Sequence, residues 1–127
     1  MEKIINVGGK EVKLRASALI PRLYRFRFGR DMISDMRQLQ KAFAKASALP
    51  ADATEEQIQD AQLSAMDLTL FENVAYMMAK HADKTIPADP DDWLDILEGV
   101  FSIYEILPVI LELWQLNTAT TSVPKKN

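Results

Sequence analysis

Over the first fifteen residues the apolar positions fall on alternate places: Ile5 and Val7 precede Gly8-Gly9, Val12 and Leu14 follow it, and polar side chains separate them. That period of two buries one face and wets the other, and Gly-Gly supplies the positive φ angles of a two-residue I′ or II′ turn, so the segment reads as a β-hairpin. A lone hairpin is marginal in water and is expected to dock on the rest of the chain.

From Ser17 the spacing becomes helical. Leu19, Ile20, Leu23, Tyr24 and Phe28 form a stripe, Pro21 is tolerable in a first turn and Gly29 is placed to end the helix. Asp31 offers an N-cap for a second helix with Met32, Met36, Leu39 and Phe43 on its apolar face and Arg37, Lys41 and Lys45 elsewhere. Residues 48–53 break this helix, and Thr54 with Gln57 makes a capping-box pattern. A third and longest helix is expected to run from there to about Ala82. It carries two stripes, Leu63, Met66, Leu70, Val74 and Met77 beside Leu68, Phe71, Ala75 and Met78, the pattern of a central helix.

After a loop containing Pro87, Asp89-Pro90-Asp91-Asp92 combines an N-cap, a proline for the first helical position and acids suited to the helix dipole. Gly99 and Pro108 predict that the remainder is bent or split in two, the second part carrying Val109, Ile110, Leu113 and Trp114. The expected fold class is mainly α: four to five helices with a small N-terminal β-hairpin at about residues 1–15. One helical domain would span residues 1–117, with 118–127 a flexible tail.

The 127 residues are 48% hydrophobic and 26% charged, which fits one globular domain able to bury a core without metal or disulfide staples. Zero cysteines remove thiol catalysis and thiolate metal sites and suit a reducing compartment. The greasiest stretch, residues 100–116, is interrupted by Glu105, Pro108 and Glu112, and the N-terminus lacks a signal-peptide pattern, so a cytoplasmic protein with no membrane partner is expected. The net charge of −3 is unevenly distributed: residues 1–50 carry 11 Lys and Arg against 4 Asp and Glu, whereas residues 51–127 carry 4 against 14. Such a split favours contact between one copy's basic side and another's acidic side, and equally suits complementary faces within one monomer.

Chemistry-bearing residues are sparse. His81 is the single histidine, which rules out sites needing two imidazoles; its simplest role is at a helix C-terminus, where a protonated ring meets the dipole favourably. Asp89, Asp91, Asp92 and Asp95 lack the glycine and closing glutamate of a calcium loop and read as helix-start acids, and Gly8-Gly9-Lys10 lacks a phosphate-cradling pattern. No enzymatic centre, metal or cofactor is expected. Arg22, Arg25, Arg27 and Arg30, interleaved with Tyr24, Phe26 and Phe28, are the main positive feature. They raise the alternative of a small helical DNA-binding regulator, against which stand a pI near 5.1 and the helical spacing of the aromatics. Met77 and Met78 could form an adaptable apolar surface, and Trp114, more than Trp93, could anchor a partner.

The string from Pro21 to Asp31, with Tyr76-Met77-Met78-Ala79-Lys80, Trp93-Leu94-Asp95 and the closing Ile-Leu-Glu-Leu-Trp before an Asn, resembles the tail assembly chaperones of long-tailed phages and prophages of Gram-positive bacteria. The likeness spans residues 1 to about 117. It implies a non-enzymatic protein of the bacterial host cytoplasm that binds and solubilises the tape measure protein, helps recruit tail tube protein and is absent from the mature virion. It also implies a longer product made by translational frameshifting, with which the closing Lys125-Lys126-Asn127 is compatible. Many copies lined along one helical partner could use the charge split in head-to-tail contacts, a homo-oligomer that propagates as a spiral. The residues offered for partner binding are Arg22, Arg25, Arg27, Arg30, Met77, Met78 and Trp114.

Overall fold

A computed structural model describes residues 1–61, 64–97 and 101–121, the side chains of 59–61, 65 and 116–121 excepted. Two strands, β1 (Glu2–Val7) and β2 (Lys10–Arg15), precede six helices: α1 (Ile20–Phe28), α2 (Met32–Ser47), α3 (Glu55–Ala61), α4 (Ala65–Ala82), α5 (Pro90–Ile96) and α6 (Ile103–Thr121). The chain is mainly helical with a small N-terminal hairpin, as its periodicities predict.

The strands pair antiparallel with Ile5 opposite Val12 and Val7 opposite Lys10. Gly8 and Gly9 have φ of 58° and 83°, both positive, which is the I′ turn whose twist matches the flanking strands. Ile5, Val7, Val12 and Leu14 are all buried, so the alternation places the register correctly. That face lies on α4, which β2 contacts directly, and on α6, which β1 contacts.

α1 begins at Ile20, three residues later than the spacing predicts. The Ser17 hydroxyl accepts from the Leu19 amide at 3.2 Å, and this local turn delays the helix. Gly29 ends it in the left-handed region at φ 67°, its N–H donating to the Arg25 carbonyl. Asp31 caps α2 by accepting from the Ile33 amide at 3.1 Å.

The expected long third helix is two helices. Thr54 and Gln57 make the anticipated reciprocal cap, with Thr54 N donating to Gln57 Oε1 at 3.0 Å and Gln57 N to Thr54 Oγ1 at 3.2 Å. A second capping box, Ser64 with Asp67, then starts α4. Continuous apolar spacing concealed this restart, and the result is six helices among the described residues instead of four or five.

α4 is the central helix from Leu70 onward: Leu70, Phe71, Val74, Ala75, Met77, Met78 and Ala79 are buried on two adjoining stripes. Met66 and Leu68, placed in those stripes from the sequence, are exposed in the first turns, and Leu63 lies outside the described residues. An aromatic chain ties α4 to α5 and to the approach to α6. Tyr76 meets Trp93 at 5.7 Å, Trp93 meets Phe101 at 5.5 Å and Phe101 stacks on Phe71 at 5.1 Å.

The break after the acidic cap falls between α5 and α6, with Gly99 outside the described residues. Pro108 splits nothing; it sits inside α6, whose Ile106, Leu107, Ile110 and Leu113 are buried. α6 continues to Thr121, four residues beyond the expected domain limit at 117.

Candidate functional site

The basic string around α1 divides into two sets with different work. Tyr24 is fully buried, and its hydroxyl donates to Asp35 Oδ2 at 2.7 Å. Arg30 closes on the same carboxylate, Nε to Oδ2 at 2.8 Å and Nη2 to Oδ1 at 2.9 Å, the bidentate fork that suits a planar guanidinium. Asp35 is 2% exposed, yet three donors satisfy it. Burial pushes its pKa up, but the hydrogen bonds from Arg30 and Tyr24 and the Arg30 charge outweigh that, holding it below the usual carboxylate range. Burial first, then the Asp35 carboxylate, pushes the Tyr24 phenol well above its ordinary value. Tyr24, Gly29, Arg30, Asp31 and Asp35 therefore build the corner between α1 and α2, and Arg30 is occupied there.

Arg22, Arg25 and Arg27 are exposed, as is Phe26 at 69%. The Arg22 guanidinium lies 4.7 Å from the Phe26 ring centroid and that of Arg25 at 5.8 Å, while Arg27 lies 5.8 Å from the ring of Tyr76 on α4. Helical spacing puts Tyr24 inward and Phe26 outward, and Phe28 is half-buried against Tyr24 at 5.1 Å.

Met77, Met78 and Trp114 require a correction. They are 6%, 0% and 8% exposed and belong to the core, so they offer a partner no open surface. Met77 and Met78 sit on the two inward stripes of α4, and α6 turns Trp114 toward the same interior as Leu113. Trp93 is buried too, as its place in a helix's first turns suggested.

A groove of mixed polarity that the sequence reading missed lies between the hairpin, the end of α4 and α5. It has a volume of about 460 Å³ and its lining includes Ile4, Val12, Ile86, Trp93, Ile96 and Leu97, with Lys10, Lys13 and Asp83 among the charged residues. Ile4 and Ile96 are 60% and 42% exposed. The legible signal was Ile4, an apolar residue on the face of the hairpin that otherwise carries polar side chains.

His81 lies in the last turn of α4, the helix C-terminus where the sequence placed it. Its Nε2 lies 2.8 Å from the Ser17 hydroxyl, joining α4 to the segment before α1. Burial lowers its pKa, and the positive charges of Arg15, Lys84 and the N-terminal ammonium lower it further, so the neutral ring is favoured. Asp89 caps α5 as expected, accepting from the Asp91 amide at 2.8 Å. Burial raises the Glu72 carboxyl and the Asp91 charge raises it further.

No family profile, curated protein or solved structure matches this chain. Among the described residues no helix is long and apolar enough to cross a membrane.

Proposed function

We propose that this chain is a tail assembly chaperone: a protein of the bacterial host cytoplasm, outside the mature virion, that holds an apolar helical stretch of a tape measure protein until tube subunits enclose it. The observation that carries the reading is the groove beside the hairpin, where Ile4 and Ile96 stand exposed above the buried Trp93 and Leu97. An amphipathic helix laid into such a groove buries its apolar stripe, and the flanking Lys10, Lys13 and Asp83 can contact its polar edges. The resemblance of the string from Pro21 to Asp31 is what suggests this assignment; within the chain, Tyr24, Gly29, Arg30 and Asp31 of that string build the α1–α2 corner.

Co-expression with the tape measure protein of the same genome tests this. The soluble fraction of the partner is expected to rise several-fold with the wild-type chain and to fall back with Ile4→Asp/Ile96→Asp. Equal insolubility with and without the chain refutes it. Salt-dependent retention on duplex DNA with no effect on the tape measure protein would instead assign the exposed arginines to a DNA-binding regulator.

A further inference from the structure

We propose that β1 pairs edge to edge with β1 of a second copy of this chain, joining two hairpins into one four-stranded antiparallel sheet. The sheet has two strands only, so each strand has one side of its backbone without a strand neighbour. The Ala16 amide donates to the Met1 carbonyl at 2.9 Å and the Met1 ammonium to the Ala16 carbonyl at 3.3 Å, an exchange of bonds that fixes the phase of the ladder. Lys3, Ile5 and Val7 therefore bond inward to β2, and the N–H and C=O groups of Glu2, Ile4 and Asn6 point out of the hairpin. Among the described residues no other backbone group meets them.

The two edges differ. Lys10, Glu11, Val12 and Lys13 line the groove in succession, so the β2 edge fronts α5 and the end of α4. Its outward positions carry Glu11, Lys13 and Arg15, charged side chains of the kind that blunt a free edge. β1 contributes only Ile4 to the groove, and that isoleucine sits at the middle of its outward positions, 60% exposed on a face that is otherwise polar. An unpaired strand with an apolar side chain at its centre is a template for the addition of another strand.

The register of β1 on itself selects a second copy as that strand. A two-fold axis at Ile4 sets residues 2–6 of one chain opposite residues 6–2 of the other, and every outward N–H and C=O of Glu2, Ile4 and Asn6 gains a partner. Ile4 then meets its own copy and Glu2 faces Asn6, so no like charges stand opposite each other. Lys3 faces Ile5 on the inner side and keeps Glu112 of α6, 3.0 Å away. The arrangement uses both β1 edges and closes at two chains.

Sedimentation velocity and amide hydrogen exchange over a concentration series test the proposal. A two-chain species is expected as concentration rises toward about 1 mM, and with it the amides of Ile4 and Asn6 should become protected while those of Glu11 and Lys13 stay fast. Ile4→Lys, a change at an exposed position that sets like charges opposite each other, should weaken the dimer about tenfold or more. The chain has no cysteine, so Ile4→Cys offers a single thiol, and it should give a covalent dimer on oxidation because opposed residues lie about 5.5 Å apart at Cα. Lys13→Cys, on the outer strand and about 14 Å from its copy across three strand spacings, should not. A monomer at every concentration overturns the proposal. So does a dimer that protects Glu11 and Lys13 instead, or one that cross-links equally through positions 4 and 13. Ile4 is shared with the groove, but Ile96→Asp alters the groove alone and should leave the dimer intact, so failure of the groove and failure of the strand pairing are separately visible.

Discussion

The Tyr24 hydroxyl and the Asp35 carboxylate, 2.7 Å apart and both buried, join α1 to α2 beneath the surface. Arg30 completes the unit from the intervening turn, but its side chain is 42% exposed and can be rehydrated if its partner is lost. The two buried members should therefore be unequal to mutation. Tyr24→Phe removes one hydrogen bond to a charged group and leaves Asp35 its arginine, a cost of about 1–2 kcal/mol. Asp35→Ala strands the buried phenol as well as removing the ion pair and should cost about 3 kcal/mol. Urea denaturation with unchanged m-values would check the order; equal costs would mean that the Tyr24 hydrogen bond carries the interaction and Arg30 adds nothing to it.

The same carboxylate predicts an acid limb. Asp35 is held below its ordinary pKa in the folded chain, so the unfolded chain takes up its proton first as pH falls. Its stabilisation is complete above the unfolded value near 4 and is lost as pH drops through the lower folded value. Asp35→Asn should flatten the fall in stability below about pH 4. It should not abolish it, because Asp67, raised by burial but lowered more by Gln38 and Ser64, titrates in the same direction. Thermal unfolding of both chains across that range measures the difference.

His81 gives a separate limb at milder acidity. Burial and its cationic neighbours depress its folded pKa, so the unfolded chain binds the proton first, near pH 6.5. The contribution is fully present above that pH and declines as pH falls toward the folded value. His81→Gln, which keeps a polar group near Ser17, should remove this slope while leaving the acid limb of the aspartates. Melting temperatures at about pH 7.5 and about pH 5.5 should then differ less in the variant than in the wild type.

The helix boundaries explain what could be read from the chain and what could not. Caps act over three or four residues, and Gly29, Asp31, Thr54 with Gln57, and Asp89 all stand where local pattern placed them. Ser64 with Asp67 obeys the same rule but was masked by apolar spacing that seemed to run straight through it. The buried face of the hairpin was legible because a period of two admits one choice. Which face of a helix stays open is a tertiary property: Met77, Met78 and Trp114 are covered by elements distant in sequence, whereas Ile4, Ile96 and Phe26 are left uncovered. Asp35 went unnoticed because its partners, Arg30 and Tyr24, lie in the preceding turn and on another helix, where no spacing within α2 reveals them.

The α4 start should respond to its cap in two steps. Ser64 Oγ accepts from the Asp67 amide at 3.0 Å, and Asp67 returns the bond to the Ser64 amide at 3.1 Å while also accepting from Gln38 of α2 at 3.0 Å. Ser64→Ala should cost about 1 kcal/mol, the usual value of an N-cap. Asp67→Ala removes its half of the box and the tie to α2, and should cost about 2 kcal/mol. If Gln38→Ala makes the two costs equal, the difference belongs to the α2–α4 tie; hydrogen exchange at residues 66–69 would show the accompanying fraying.

Core and surface assignments on the candidate residues can be separated by two truncations. Met78 is fully buried on α4, so Met78→Ala should cost about 2–4 kcal/mol through lost burial and the cavity left behind. Phe26→Ala changes an exposed ring and should stay within about 0.5 kcal/mol of wild type. Chemical denaturation of the two variants measures the contrast, and equally small costs would return the methionine to the surface and remove it from the core.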